Sequence, residues 1–230
     1  MLVPTSADVL CGGIRPLGSK GHTSGIAKDK IPGPWRIVRN GLVGDAQADT
    51  KHHGGPEKAL HHYAFEHYEA WRGDIGEHPL LTQSGAFGEN ISTTGWTEET
   101  VCIGDVIQFG GALLQVSQGR QPCWKLNVRF GRDDVAFKTQ ASGRTGWYYR
   151  VLEEGEAQPG DSLIHVQRLQ PAWPLARVLT LLYRDKDRYD DLAEMAALPE
   201  LAEGWRVLAE RRIAARKTED WAPRLTVPDV

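Results

Sequence analysis

The chain has 230 residues, of which 40% are hydrophobic and 25% charged, ordinary usage for a folded protein and enough sequence for one large domain or a domain with an appendage. A formal net charge of -3 excludes the basic surface of a dedicated nucleic-acid binder, so no nucleic-acid partner is expected. No run approaches the roughly 18 apolar residues of a membrane helix, and residues 1–12 lack the basic and apolar regions of a signal peptide, so no membrane is expected and the cytoplasm is the default compartment.

From residue 8 to about 168 short apolar or alternating stretches are divided by glycine and charged turns, the pattern of a β-barrel or sandwich. The first dense stretch, Gly44-Asp-Ala-Gln-Ala-Asp-Thr-Lys-His-His-Gly-Gly-Pro-Glu-Lys-Ala-Leu60, crowds acids, imidazoles, paired glycines and a lysine together. Polar groups at such density are costly to bury without partners and point to a pocket. Asp45 and Asp49 are equally well read as turn and capping residues. Leu60, Tyr63, Ala64, His67 and Trp71 repeat at helical spacing and predict a helix over 56–71 with Pro56 in its first turn. Gly54 and Gly55 would then form a turn at a helix N-terminus, where an anion is favoured, and Lys58 in that first turn hints at phosphate.

Gln83-Ser-Gly-Ala-Phe-Gly-Glu-Asn-Ile91 reads as a loop returning into a strand, with Asn90 suited either to a turn or to hydrogen-bonding a heterocycle edge. Residues 101–109 and 112–117, separated by Gly110-Gly111, predict a hairpin. The next stretch, Gln115-Val-Ser-Gln-Gly-Arg-Gln-Pro-Cys-Trp-Lys-Leu126, leaves a strand and sets Cys123 behind a proline. Arg120 and Lys125 flank it, and nearby cations favour thiolate, the form that attacks electrophiles or ligates metal. Of the three cysteines, Cys11 and Cys102 suit the ordinary role of a small buried hydrophobe, and the set forms no disulfide framework or CxxC pair. Gln140-Ala-Ser-Gly-Arg-Thr-Gly-Trp147 is a glycine turn in which Arg144 is a candidate phosphate donor. Residues 147–152 and 162–166 predict a second strand pair. After Pro171 glycine nearly vanishes; Leu175, Val178, Leu179 and Leu182, then Leu201, Trp205 and Leu208, predict a small helical appendage with a basic last helix and a loose tail beyond Trp221.

Gly44-Asp45, His53-Gly-Gly-Pro-Glu-Lys-Ala59, Gly85-Ala-Phe-Gly-Glu-Asn90, Val101-Cys-Ile-Gly-Asp105 and Arg120-Gln-Pro-Cys-Trp-Lys125, in this order and spacing, resemble the MOSC family, named for the C-terminal domain of molybdenum-cofactor sulfurase. The likeness spans residues 5–168, and the part over 171–221 resembles the three-helix extension of the YiiM-like branch, leaving 222–230 as tail. It implies a mainly β fold, a closed, twisted barrel-like domain with a few helices, plus the α-helical appendage.

The resemblance also implies a molybdenum cofactor, molybdopterin with its metal, ligated by Cys123. His53, Gly54, Gly55 and Lys58 would lie beside it, with Asn90, Arg120, Gln121, Lys125 and Arg144 as candidates for its pterin or phosphate. One departure is Gly119 before Arg120, where the family often carries proline; it loosens the approach to the cysteine. The implied chemistry is reduction of N-hydroxylated bases such as hydroxylaminopurine, hydroxylamines and amidoximes, which detoxifies them. Asp49, His52 and His53 are candidates for the proton. The sequence has no flavin or iron–sulfur motif and no pyridoxal phosphate is expected, so electrons would come from a separate redox protein; the family suggests a homodimer. Rival readings are a cofactor carrier without turnover, a hydrolase or transferase with Cys123 as nucleophile and His52, His53, His61 or His62 as base, and a zinc enzyme, which the histidine spacing disfavours.

Overall fold

A computed structural model describes residues 1–48 and 54–228. The chain opens with short strands: β1 (Thr5–Ser6), β2 (Asp8–Cys11), β3 (Arg15–Leu17), β4 (His22–Ser24), β5 (Asp29–Lys30), β6 (Trp35–Val38) and β7 (Gly41–Leu42). The central part carries β8 (Leu60–Ala64), helix α1 (His67–Ile75), β9 (Ile91–Thr93), β10 (Val106–Phe109), β11 (Ala112–Gly119), helices α2 (Lys125–Phe130) and α3 (Val135–Ser142), β12 (Trp147–Glu153), β13 (Gly155–Ala157) and β14 (Ser162–Gln167). Four helices follow: α4 (Leu175–Tyr183), α5 (Tyr189–Ala196), α6 (Glu203–Ala215) and α7 (Ala222–Leu225). The protein is mainly β with a C-terminal helical appendage, and among the described residues no helix is long and apolar enough to cross a membrane.

The main sheet has nine strands in the order β1-β14-β10-β11-β12-β8-β9-β2-β5. Its pairs are antiparallel except β8 with β9. The expected closed barrel is not formed among the described residues. The edge strands carry no shared ladder; β1 and β2 lie in opposite flanks of the sheet and are joined covalently through Ala7. The ladder therefore changes partner at Ala7, from β14 on one side to β9 on the other.

The expected helix over 56–71 is replaced by a 3-10 turn, Pro56–Lys58, then β8, then α1 from His67. All five residues of β8 are buried, because both its faces are covered, so it lacks the alternation that marks a half-exposed strand. Its apolar positions merely coincide with helical spacing, and pairing with β12 and β9 decides the matter. Period two survives inside the protein: His62 meets Trp147 with ring centroids 4.3 Å apart, whereas His61 faces Tyr148 at 5.1 Å. A three-residue turn also lacks the aligned peptides of a helix N-terminus, so the helix-dipole argument for an anion does not apply at Pro56–Lys58.

The hairpin across Gly110-Gly111 forms, with Phe109 opposite Ala112. Its first strand begins at Val106 and not at 101, because Cys102 to Asp105 make a turn: the Cys102 N–H donates to Asp105 Oδ2 at 2.9 Å and Gly104 takes φ +78°. The strands at 147–153 and 162–167 both form but are not partners; β12 lies between β11 and β8, and β14 between β10 and β1.

One apolar cluster runs from Val9, Leu60 and Trp147 in the sheet to Leu175, Val178, Met195 and Trp205 in the appendage, so the helices complete the core of the sheet. Their seat depends on Gly119, whose missing Cβ would lie 2.9 Å from the Trp205 ring and 3.1 Å from Leu179 Cδ2. The basic last long helix turns one cation inward: Arg212, 1% exposed, donates to the carbonyls of Leu181 and Leu182 at the end of α4 and pairs with Glu219. The segment expected as a loose tail contains α7, bonded to the loop around Cys123.

Candidate functional site

Between β11 and β12 the chain makes a long excursion, residues 120–146, that carries Cys123, α2 and α3. The excursion is closed at its base by the Arg120 N–H donating to the Gly146 carbonyl at 3.0 Å. Above this end of the sheet opens a cleft of about 580 Å³. Arg120, Cys123 and Lys125 line it from the excursion, His61 from β8, Tyr148 from β12, and Phe87, Gly88 and Asn90 from the loop before β9. Lys28, the 24–26 segment, residues 46–48 and Lys58 complete it.

The floor is a buried polar network. Lys28 pairs with Asp45, the two side chains being 6% and 4% exposed. Asp45 also accepts from the Gly12 N–H and from Asn90 Nδ2, each at 2.9 Å. Asn90 Nδ2 donates to the Leu10 carbonyl as well, and its Oδ1 accepts from the His61 N–H at 3.1 Å. Burial lowers the Lys28 pKa, while the Asp45 charge opposes that shift. The loop carrying Asn90 is built round Glu89, a fully buried carboxylate that accepts from Tyr68 Oη and from the Gly85 and Phe87 N–H groups. Gly85 and Gly88, at φ +107° and +75°, let this loop lie directly on the 26–28 backbone; a Cβ on Gly85 would meet the Lys28 carbonyl at 2.9 Å.

The walls are electropositive. Arg120 is 7% exposed, and its Nη1 is buried with no hydrogen-bond partner among the described residues. Its charge acts on Tyr148 and on His61, and the Cys123 thiol acts on Tyr148, which places these groups together. Burial raises the Tyr148 pKa, so the phenol keeps its proton. Burial first, then the Arg120 charge, pushes His61 well below the ordinary histidine range; its Nε2 lies 3.3 Å from the Thr145 carbonyl oxygen. Lys125 Nζ donates to the Thr23 carbonyl at 3.2 Å. Among the described residues, no group of three or more histidine, cysteine, aspartate and glutamate side chains converges as it would for a metal ion.

Of the residues singled out in the sequence, Cys123, Arg120, Lys125, Lys58 and Asn90 meet at this cleft. The amide of Asn90 is engaged on both its donor and acceptor sides, so its visible work is to tie β8 to the Lys28–Asp45 pair. Gly54, Gly55 and Gln121 do not line the cleft. Arg144 lies elsewhere: it pairs with Asp74, stacks 4.7 Å above Trp71, and lines a second cleft of about 790 Å³ with His67, Glu98 and residues of α4. Asp49, His52 and His53 fall outside the described residues. His62 faces the core, where Tyr149 Oη and Thr93 Oγ1 each lie 2.8 Å from a ring nitrogen. Lys28, His61 and Tyr148 line the cleft without having been singled out as cofactor contacts. Only Tyr148 had a readable signal, the alternation that sends it opposite to Trp147 and Tyr149.

Comparison with known proteins gives the family. The MOSC domain matches residues 49–164, and the YiiM-like, 3-alpha helix domain matches residues 173–216. Protein YiiM of Escherichia coli is 38% identical over 220 residues, covering 95% of this chain and 96% of that one. A protein named Reductase from Gibberella moniliformis is 38% identical over 197 residues, which cover 85% of this chain and 35% of the fungal protein. The crystal structure of E. coli YiiM superposes with a TM-score of 0.84 at 30% identity, covering 98% of this chain and all of that one. YiiM of Geobacillus stearothermophilus gives 0.76 at 31% identity, covering 90% of this chain and 97% of that one. The chain therefore belongs to the MOSC domain family and carries its YiiM-like three-helix extension.

Proposed function

We propose that the chain holds a molybdenum cofactor at Cys123 and reduces N-hydroxylated compounds to the corresponding amines. The observation that carries the binding half is the buried Nη1 of Arg120, which has no hydrogen-bond partner among the described residues, in the same cleft as Cys123. A buried guanidinium N–H without a partner is costly and calls for an anionic ligand. A cysteine sulfur beside it is a soft ligand for a metal. Lys58 and Lys125 line the same cleft and give further positive charge for a phosphate-bearing pterin. Cys123 would hold the metal, with Arg120 and the lysines holding the anionic part.

Reduction of an N–OH group to N–H takes two electrons and two protons and releases water. The cofactor supplies oxo-transfer and two-electron chemistry when bound. The reductase half is supported by family membership and by the name of the fungal relative. A separate redox protein would supply the electrons. Within the chain, His61 does not serve as the acid near neutral pH, because its charged form is suppressed. Tyr148 retains its phenolic proton at the cleft, and Asp49, His52 and His53 remain the candidates from the sequence to relay protons. The cysteine-hydrolase reading is weakened by the same geometry: His61 is a poor base beside Arg120, and His62 points into the core.

The test is an anaerobic assay of hydroxylaminopurine with a chemical reductant, using protein from a host that makes molybdenum cofactor. Steady amine formation, lost in Cys123→Ser, is the expected result. Bound molybdenum without turnover would make the protein a carrier, and turnover undiminished in Cys123→Ser would remove Cys123 from the reaction.

A further inference from the structure

The segment after α6 lies beyond both matched family spans, which end at 164 and 216, yet it reaches back to the cysteine. Pro122 fixes one backbone torsion before Cys123, and nothing covalent fixes those that follow. One residue of the segment supplies the missing constraints on both sides. Arg224 Nη1 donates to the Pro122 carbonyl, and the Arg224 carbonyl accepts from the Trp124 N–H at 2.8 Å. Arg224 Nη2 donates to Gln140 Oε1 on α3, and Asn127 Nδ2 on α2 donates to the Leu225 carbonyl at 3.0 Å. The guanidinium lies 4.7 Å above Trp221, whose ring meets Tyr183 of α4 edge-on at 5.7 Å. The charge of Arg224 is largely buried and within electrostatic reach of both Cys123 and Arg120.

We infer that Arg224 is a positioning residue for Cys123, and that residues 219–228 form a strap that pins the backbone on either side of the sulfur. The strap is anchored in the appendage through the Arg212–Glu219 pair, so the helices set the direction of the thiol as well as completing the core. This rests on the proposed function only in taking Cys123 as the sulfur that matters; the geometry is tested without any reference to turnover.

Cys123 lines the cleft, Cys102 lies in the turn before β10, and Cys11 lies in β2 beside the Lys28–Asp45 pair, so neither of the other two touches the strap. The full-length chain is made in a host that produces no molybdenum cofactor, exposed to iodoacetamide, and read by mass spectrometry at each cysteine over time. In Arg224→Gln, alkylation of Cys123 rises by about tenfold or more, as expected on losing hydrogen bonds from a charged group that hold a local closed state. Cys11 and Cys102 keep their wild-type rates, and Arg224→Lys, which retains the charge and one contact, falls between. Gln140→Ala removes one leg of the strap and gives a smaller rise confined to Cys123. An unchanged rate at Cys123 in both Arg224→Gln and Gln140→Ala, or a parallel rise at all three cysteines, overturns the inference.

Discussion

Replacing Asp45 by asparagine tests whether the cleft floor is held by charge. The change keeps side-chain volume and one carbonyl oxygen but leaves the Lys28 ammonium, on a side chain 6% exposed, without its counter-ion. Breaking a buried pair by removing one partner costs about 3–5 kcal/mol, because the remaining charge is stranded. For a chain of this size each kcal/mol lowers Tm by roughly 2–4 °C, so Asp45→Asn should melt about 6–20 °C below wild type. Lys28→Met/Asp45→Asn removes the stranded charge and should recover part of that loss. Thermal unfolding of the wild type, Asp45→Asn, Lys28→Met and the double variant by circular dichroism measures the coupling directly. Strictly additive losses, or an Asp45→Asn Tm within about 2 °C of wild type, would refute the argument that Lys28 and Asp45 depend on each other.

Other predictions follow from groups in the core. Burial holds His62 down to about 3, against 6.5 for an exposed histidine. Below pH 6.5 the unfolded chain therefore binds a proton that the folded one refuses, and stability falls as pH drops from 6.5 to 3. At 1.36 kcal/mol per unit this is roughly 4–5 kcal/mol over the interval, and His62→Gln should flatten that slope in urea titrations run across it; identical slopes would contradict the reading. Gly119→Ala puts a methyl group 2.9 Å from the Trp205 ring. Overpacking there should cost about 1–3 kcal/mol, and an unaffected Tm would show that the helices do not seat on β11 as described.

Cys123 was readable in the sequence because a cysteine in a polar, basic loop after a strand breaks the habit of that residue, and Cys102 in an apolar stretch does not. The hairpin at Gly110-Gly111 was readable because its glycine pair punctuates two apolar runs. β8 was not, since a strand buried on both faces loses its alternation, and Leu60 to Trp71 then imitates a helical stripe. The closed barrel was implied by the resemblance, and the partner change at Ala7 leaves no compositional trace. Lys28 was invisible for another reason: its role depends on Asp45 and on Gly85, contacts created by folding that no local pattern encodes. Arg144 was a cofactor candidate on its chemistry in a glycine turn and on the resemblance, and the structure gives its guanidinium to Asp74 and Trp71. Arg224 escaped notice in a stretch expected to be tail, because its partners around Cys123 are about a hundred residues earlier in the chain.

The measurement that bears most directly on the central claim is molybdenum and pterin content of the protein and of Cys123→Ala. Both would be expressed in a host making the cofactor and purified without oxygen. The account predicts near-stoichiometric molybdenum in the first and little in the second. Equal molybdenum in both, or none in either from a host shown to load another molybdenum enzyme, would contradict it.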